Sequence, residues 1–135
     1  MDFNDFLTWE RASRDTLDVK RVYIDMAGDL VAGIVLSEIV YWHLPAKDGR
    51  SRLRVVHEGK QWIAARRYEW WDRVRITPAQ ADRAIKLLVE RGLIEKDVFK
   101  FDGTPTTHVR LIEPIFISAL EELVISPSVN PYQPE

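Results

Sequence analysis

The side chains with the clearest capacity for chemistry in this chain are cations. Ten Lys and Arg residues (Arg50, Arg52, Arg54, Lys60, Arg66, Arg67, Arg73, Arg75, Arg83, Lys86) lie between positions 50 and 86 against four acidic ones (Glu58, Glu69, Asp72, Asp82), a local charge of +6. Residues 1–49 carry five basic against nine acidic groups and residues 87–135 four against eight, so each flank stands at -4 in a chain of net charge -2. A basic segment set in an acidic chain can build a basic face, and it is faces, not totals, that govern contact with phosphate. The same arginines can instead decorate solvated helices, and charge alone leaves that alternative open.

Other chemistries have weaker support. Five tryptophans could stack on unpaired bases, yet Trp42 and Trp70 occupy apolar helical positions and are predicted to be core. Trp71, beside Asp72 and Arg73, is predicted to be exposed and is the candidate partner contact. His43, His57 and His108 have no ligand spacing, so no metal is expected. No Ser-His-acid order, phosphate-binding glycine loop or catalytic carboxylate pair is present, and neither enzyme activity nor a cofactor is expected. With no cysteine, disulfides, thiolate catalysis and cysteine-ligated zinc are excluded, which is compatible with a reducing compartment. The start MDFNDFLTWER lacks the basic and apolar regions of a secretory signal. The longest apolar run, LVAGIVL and IVYWHL around Ser37-Glu38, is too short to span a bilayer. A cytoplasmic protein without a membrane partner is expected.

These residues need elements to position them. A chain of 135 residues with 46% hydrophobic content suits one domain. We assign it to residues 1–125, followed by a proline-rich tail or linker, SPSVNPYQPE, at 126–135. Asn4 or Asp5 can cap a first helix carrying Phe6, Leu7 and Trp9; TLDVKRVYID reads as extended. From Leu30 to Leu44 the apolar residues run nearly all round a helix, which should be the buried central one, ended by Pro45 and Gly49. RLRVVHEGKQWIAA alternates on both sides of Glu58-Gly59 and suggests a small hairpin. RRYEWWDRV reads as a short helix with Trp70 and Val74 on one face. LIEKDVFKF and TTHVRLI flank Asp102-Gly103, a hairpin turn signal. A last helix should run from Pro114 to Val124.

The stretch VRITPAQADRAIKLLVERGLI is the most legible part. Thr77 and Gln80 can form a reciprocal capping box, with Pro78 at the first helical position where no N–H is needed. Ala81, Ala84, Ile85 and Leu88 share one side, and the two alanines permit close approach of another helix. Ala79, Asp82, Arg83, Lys86 and Glu90 share the other. Gly92 supplies a left-handed exit and Leu93-Ile94 returns the chain to the core as a strand. Helix, short turn, capped helix and hairpin is the order of a winged helix-turn-helix. The expected fold is α+β, mainly α: a winged helix-turn-helix with a β-hairpin wing and extra N- and C-terminal helices.

Over residues 22–112 the combination of IVLSEIVYWH, a loop with Asp48-Gly49, YEWWDRVRITPAQADRAIKLLVERGLIEK and a hairpin resembles a known domain. It is the winged-helix domain that opens DnaD-like phage and plasmid replication proteins, the replisome organisers and initiators. The resemblance implies double-stranded DNA binding with the amino-terminal turns of the helix from Pro78 to Arg91 in the major groove. Arg83 would then read guanine, and Gln80 adenine unless its capping duty holds it. Lys86 would touch phosphate, together with Arg66, Arg67, Arg73, Arg75 and Thr77. Asp82, on the same side as Arg83, would repel phosphate unless it orients a neighbouring arginine. The wing carries Lys96 and Lys100 but also Asp97 and Asp102, and one contact at most is expected from it.

Two functions follow as expectations. One is a sequence-preferring duplex DNA binder, either a phage or plasmid replication component or a transcription regulator. The alternative is a winged-helix module that binds protein and not DNA, favoured by the overall acidity and the apolar end helices. In both, Phe3, Phe6, Trp9, Phe116, Leu120 and Leu123 are too many to bury in one small core, and a homodimer is expected. Replication proteins or other protein partners are further candidates.

Overall fold

The computed structural model describes residues 1–134. Its described residues form six helices and a four-stranded antiparallel sheet, an α+β arrangement. The central helix α3 (Leu30–His43) follows α1 (Phe3–Ala12) and α2 (Arg21–Ala27). It is apolar on all sides and buries Ala32, Val35, Leu36, Ile39 and Trp42. Its N-cap is Asp29, whose carboxylate accepts the Ala32 amide at 3.0 Å.

The helix α2 corrects the extended reading of TLDVKRVYID. Residues 13–20 form neither helix nor strand, but Arg21–Ala27 is helical. Local preference for β-branched Val22 and Ile24 gives way to burial: Val22 and Tyr23 pack on the core, Met26 and Ala27 lie inside it, and the Tyr23 ring sits 5.9 Å from Phe116. Close approach to α3 requires Gly33, since a Cβ there would lie 2.7 Å from the Ile24 Cα.

Two hairpins follow. β1 (Val55–His57) and β2 (Lys60–Ala64) close through Glu58-Gly59; β3 (Ile94–Phe101) and β4 (Thr104–Leu111) close through Asp102-Gly103. All four turn residues have positive φ (51°, 75°, 50° and 79°), which suits tight two-residue hairpin turns. β2 pairs with β4, giving the strand order β1-β2-β4-β3.

Between the hairpins lie α4 (Glu69–Val74) and α5 (Pro78–Glu90). Trp70 is 2% exposed and its ring is 5.3 Å from that of Trp42, so α4 is pinned to α3 through two core tryptophans. α5 buries Ala81, Ala84, Ile85 and Leu88, the side expected from its periodicity, and packs on α3. Gly92 stands at φ 75°, and Leu93 and Ile94 enter the core after it.

The last helix, α6 (Glu113–Ile125), buries Phe116 and rests Leu120 and Leu123 on the core, so the chain itself takes up part of the apolar set expected to exceed one small core. α1 differs: it is capped by Asp2, with Asp5 completing the box, and buries no residue. Residues 126–134 are exposed and form no helix or strand. Among the described residues no helix is long and apolar enough to cross a membrane.

Candidate nucleic-acid interface

The expected site lies on α4, α5 and the segment before them. α5 starts where the sequence placed it: Thr77 Oγ1 accepts the Gln80 amide at 3.1 Å and Gln80 Oε1 accepts the Thr77 amide at 2.8 Å. Gln80 thus serves as the cap in this structure. Adenine readout needs both ends of the amide, and the oxygen is held by the cap.

The arginines do not form the unpartnered cationic face that a local +6 suggests. Arg83, the expected reader, turns back to the start of α3, where Nη2 donates to Asp29 Oδ1 at 3.1 Å. The Ala32 amide, and after it the Arg83 guanidinium, hold the Asp29 carboxyl below the usual carboxylate range. Arg73 reaches Glu38 at 3.4 Å and lies 4.8 Å from the Trp42 ring centroid. Arg66 meets Glu69 and Asp102, each at 3.4 Å, over the Phe101 ring. Arg75 has φ 59°, and its Nη1 donates to the carbonyls of Trp71 (2.8 Å) and Asp72 (3.0 Å), closing the last turn of α4. Arg52 likewise donates to the Leu44 carbonyl at 2.7 Å, and Lys60 pairs with Glu95 at 2.8 Å. Counter-charges from both acidic flanks have folded onto the basic segment, which a charge count along the chain does not register.

Arg67 makes three hydrogen bonds to a single carboxylate. Its Nε donates to Asp82 Oδ1 at 3.1 Å and Oδ2 at 3.0 Å, and its Nη2 to Oδ2 at 2.7 Å. Asp82 therefore orients a neighbouring arginine, and that neighbour is Arg67. Lys86 is exposed and has no ion-pair or hydrogen-bond partner among the described residues. Trp71 is 52% exposed, with the Arg75 guanidinium 5.9 Å from its ring centroid.

On the hairpin, Lys96, Val98 and Lys100 alternate onto one face and are all exposed. The opposite face holds a stack that sequence spacing did not disclose. The Phe99 ring lies between His57 (4.0 Å) and His108 (3.7 Å), with Trp62 edge-on at 5.9 Å. Among the described residues no group of three or more His, Cys, Asp or Glu side chains is placed to hold a metal. The two hairpins bring these histidines together because β2 pairs with β4; no local signal carries that pairing.

The acidic partners of these cations are not legible in the sequence. Glu38 read only as an interruption of an apolar run, and Asp29 carried no signal as a partner of Arg83. Comparison with family models, with curated proteins and with solved structures returns no match in any of the three.

Proposed function

We propose that this chain is a winged-helix protein that binds double-stranded DNA through the outer face of α5, with α4 crossing the backbone and the β3–β4 hairpin as wing. The observation that carries the reading is geometric. α5 is capped, its inner side is committed to α3, and Ala79, Asp82, Arg83, Lys86 and Glu90 are exposed along its outer side. The order α3, β2, α4, α5, β3, β4, with β4 between β2 and β3 in the sheet, supports this reading, since a helix-turn-helix followed by a wing runs in that order. A phage or plasmid replication role or transcription regulation would both use such a face.

The internal ion pairs do not oppose this. Pairs open to solvent contribute little net stability, so a phosphate can replace Asp102 at Arg66 at small cost, whereas the half-buried Glu38 and Asp29 hold Arg73 and Arg83 more firmly. Each acidic partner left behind still repels the backbone, so affinity for DNA of arbitrary sequence should be modest and steeply dependent on salt.

Fluorescence anisotropy with random-sequence and genomic duplexes tests the reading. The slope of log K against log salt should be about -0.9 for each phosphate neutralised. Lys86→Ala should make the slope shallower by about one contact and weaken both duplexes alike. If the folded wild-type protein binds neither duplex at about 50 mM salt, where such contacts are strongest, the DNA reading is wrong.

A second reading is favoured by α1. Phe3 (71% exposed) and Trp9 (51%) stand on a helix that buries nothing in its own chain. A protein-binding module would use them, and failure to bind any duplex would leave this reading in place.

A further inference from the structure

Resting on the DNA reading above, we infer that Arg67, buttressed by Asp82, is the base-reading side chain of this protein, and that it recognises the O6/N7 edge of a guanine in the major groove. Arg67 belongs to the segment before α4 and Asp82 to the second turn of α5, so the pair spans fifteen residues and fixes the guanidinium over the amino-terminal half of the helix.

A guanidinium offers five N–H groups in a rigid fork. Asp82 takes the edge formed by Nε and Nη2, with contacts of 2.7–3.1 Å. The other edge, formed by Nη1 and the second Nη2 proton, remains, and Nη1 has no partner among the described residues. Its two parallel N–H groups match a pair of acceptors lying side by side, which guanine presents as O6 and N7. The carboxylate holds the fork at one angle, so less side-chain freedom is lost on contact. Arg67 is 61% exposed and Asp82 52% along their side chains, so the open edge meets solvent. Ala79, one turn before Asp82 on the same side, adds only a methyl group to the approach.

The competing arginine lacks this arrangement. Arg83 gives Nη2 alone to Asp29, which also caps α3, so its fork is tethered at one point to the body of the protein. A buttressing carboxylate also accounts for an acid on the exposed side of a DNA-facing helix. Asp82 costs attraction to every phosphate, and the return is geometry at one base.

Two neighbouring phosphate oxygens could fill the same fork, and the experiment separates the two targets. A randomised duplex pool is enriched by binding to the wild type, to Arg67→Lys and to Asp82→Asn, each shown to melt as the wild type does, and the bound fractions are sequenced. The wild type should select a G·C pair at one position by about 5- to 150-fold. Arg67→Lys keeps the charge and loses the fork, so it should lose preference at that position, with any fall in affinity for the unselected pool smaller than the fall for the selected sequence. Asp82→Asn should bind the unselected pool more tightly and show reduced preference there. A wild-type base profile retained by Arg67→Lys, or a wild type that binds the pool without base preference, overturns the inference and leaves duplex binding intact. A profile lost in Arg67→Lys but unchanged in Asp82→Asn overturns the buttress. Absence of binding by the wild type at low salt is a different result, because it removes the DNA reading itself.

Discussion

At the scale of single residues, His43 ties the end of α3 to the sheet in one protonation state. Its Nδ1 lies 2.8 Å from the Ile39 carbonyl and must donate; its Nε2 lies 3.1 Å from the Leu111 amide and must accept. Only the neutral ring does both. Burial, the largest cause, lowers its pKa from the ordinary value of 6.5. His108 is fully buried and is lowered by burial as well; its Nδ1 is 2.9 Å from the Thr106 carbonyl and its Nε2 has no partner. A depressed folded-state value means that the unfolded chain takes up protons first. The stabilisation from each neutral ring is therefore complete above the ordinary histidine value and is lost as pH falls below it toward the folded value. We expect urea midpoints of the wild type to drop between about pH 7.5 and pH 5, and His43→Gln to drop less over the same window. Equal pH dependence in the two proteins would show that His43 does not carry the effect.

At the scale of elements, α5 depends on its two ends. Thr77→Ala removes the hydroxyl that accepts the Gln80 amide and should cost about 1 kcal/mol in urea unfolding. Gly92 tests the other end. At φ 75° a β-branched residue is strained, although a Cβ would find only Ile115 atoms at an ordinary 3.5 Å, so the penalty is one of backbone conformation and not of space. Gly92→Val should destabilise by at least about 1 kcal/mol, and a variant that melts with the wild type would contradict the left-handed exit. Gly33 gives the opposite case. Its backbone is ordinary helix, and the obstacle to a side chain is the Ile24 backbone of α2. Gly33→Ala gains helix propensity but should still lose about 1–3 kcal/mol through overpacking, read from the same unfolding curves.

At the scale of the whole molecule, α1 is the element without a place. It has ten residues, a capping box and an aromatic ladder in which Phe3, Phe6 and Trp9 rings lie 5.7 and 6.4 Å apart, yet it buries nothing. Isolated helices shorter than about 12–15 residues are marginal in water, so α1 needs a surface to lie on. α6 adds Ile117, Val124 and Ile125 to the exposed apolar inventory even after Phe116 has entered the core. We expect a homodimer in light scattering, and a shift to monomer on Phe6→Asp together with Trp9→Asp. Monomer alone at high micromolar concentration would end this expectation without touching DNA binding, since α5 lies on another part of the chain.

What the sequence determined by itself was whatever a few neighbouring residues decide. The box of Thr77 and Gln80, the inward side of α5, the Gly92 exit and the two turns at Glu58-Gly59 and Asp102-Gly103 all involve partners within one or two helical turns or one hairpin. Such signals survive in a one-dimensional reading because backbone sterics and capping hydrogen bonds are local. Trp42 and Trp70 were legible as core for a related reason, since helical period marks a side to be buried before its partner is known. Tertiary structure alone decided α2, whose local preference points to strand and whose burial against α3 and α6 makes it helix. It also decided the fate of the cations. Arg83 meets Asp29 across 54 residues, Arg66 meets Asp102 across 36 and Lys60 meets Glu95 across 35. Coulombic attraction depends on distance in space, so folding can bring carboxylates from both acidic flanks against a segment that a linear count leaves at +6.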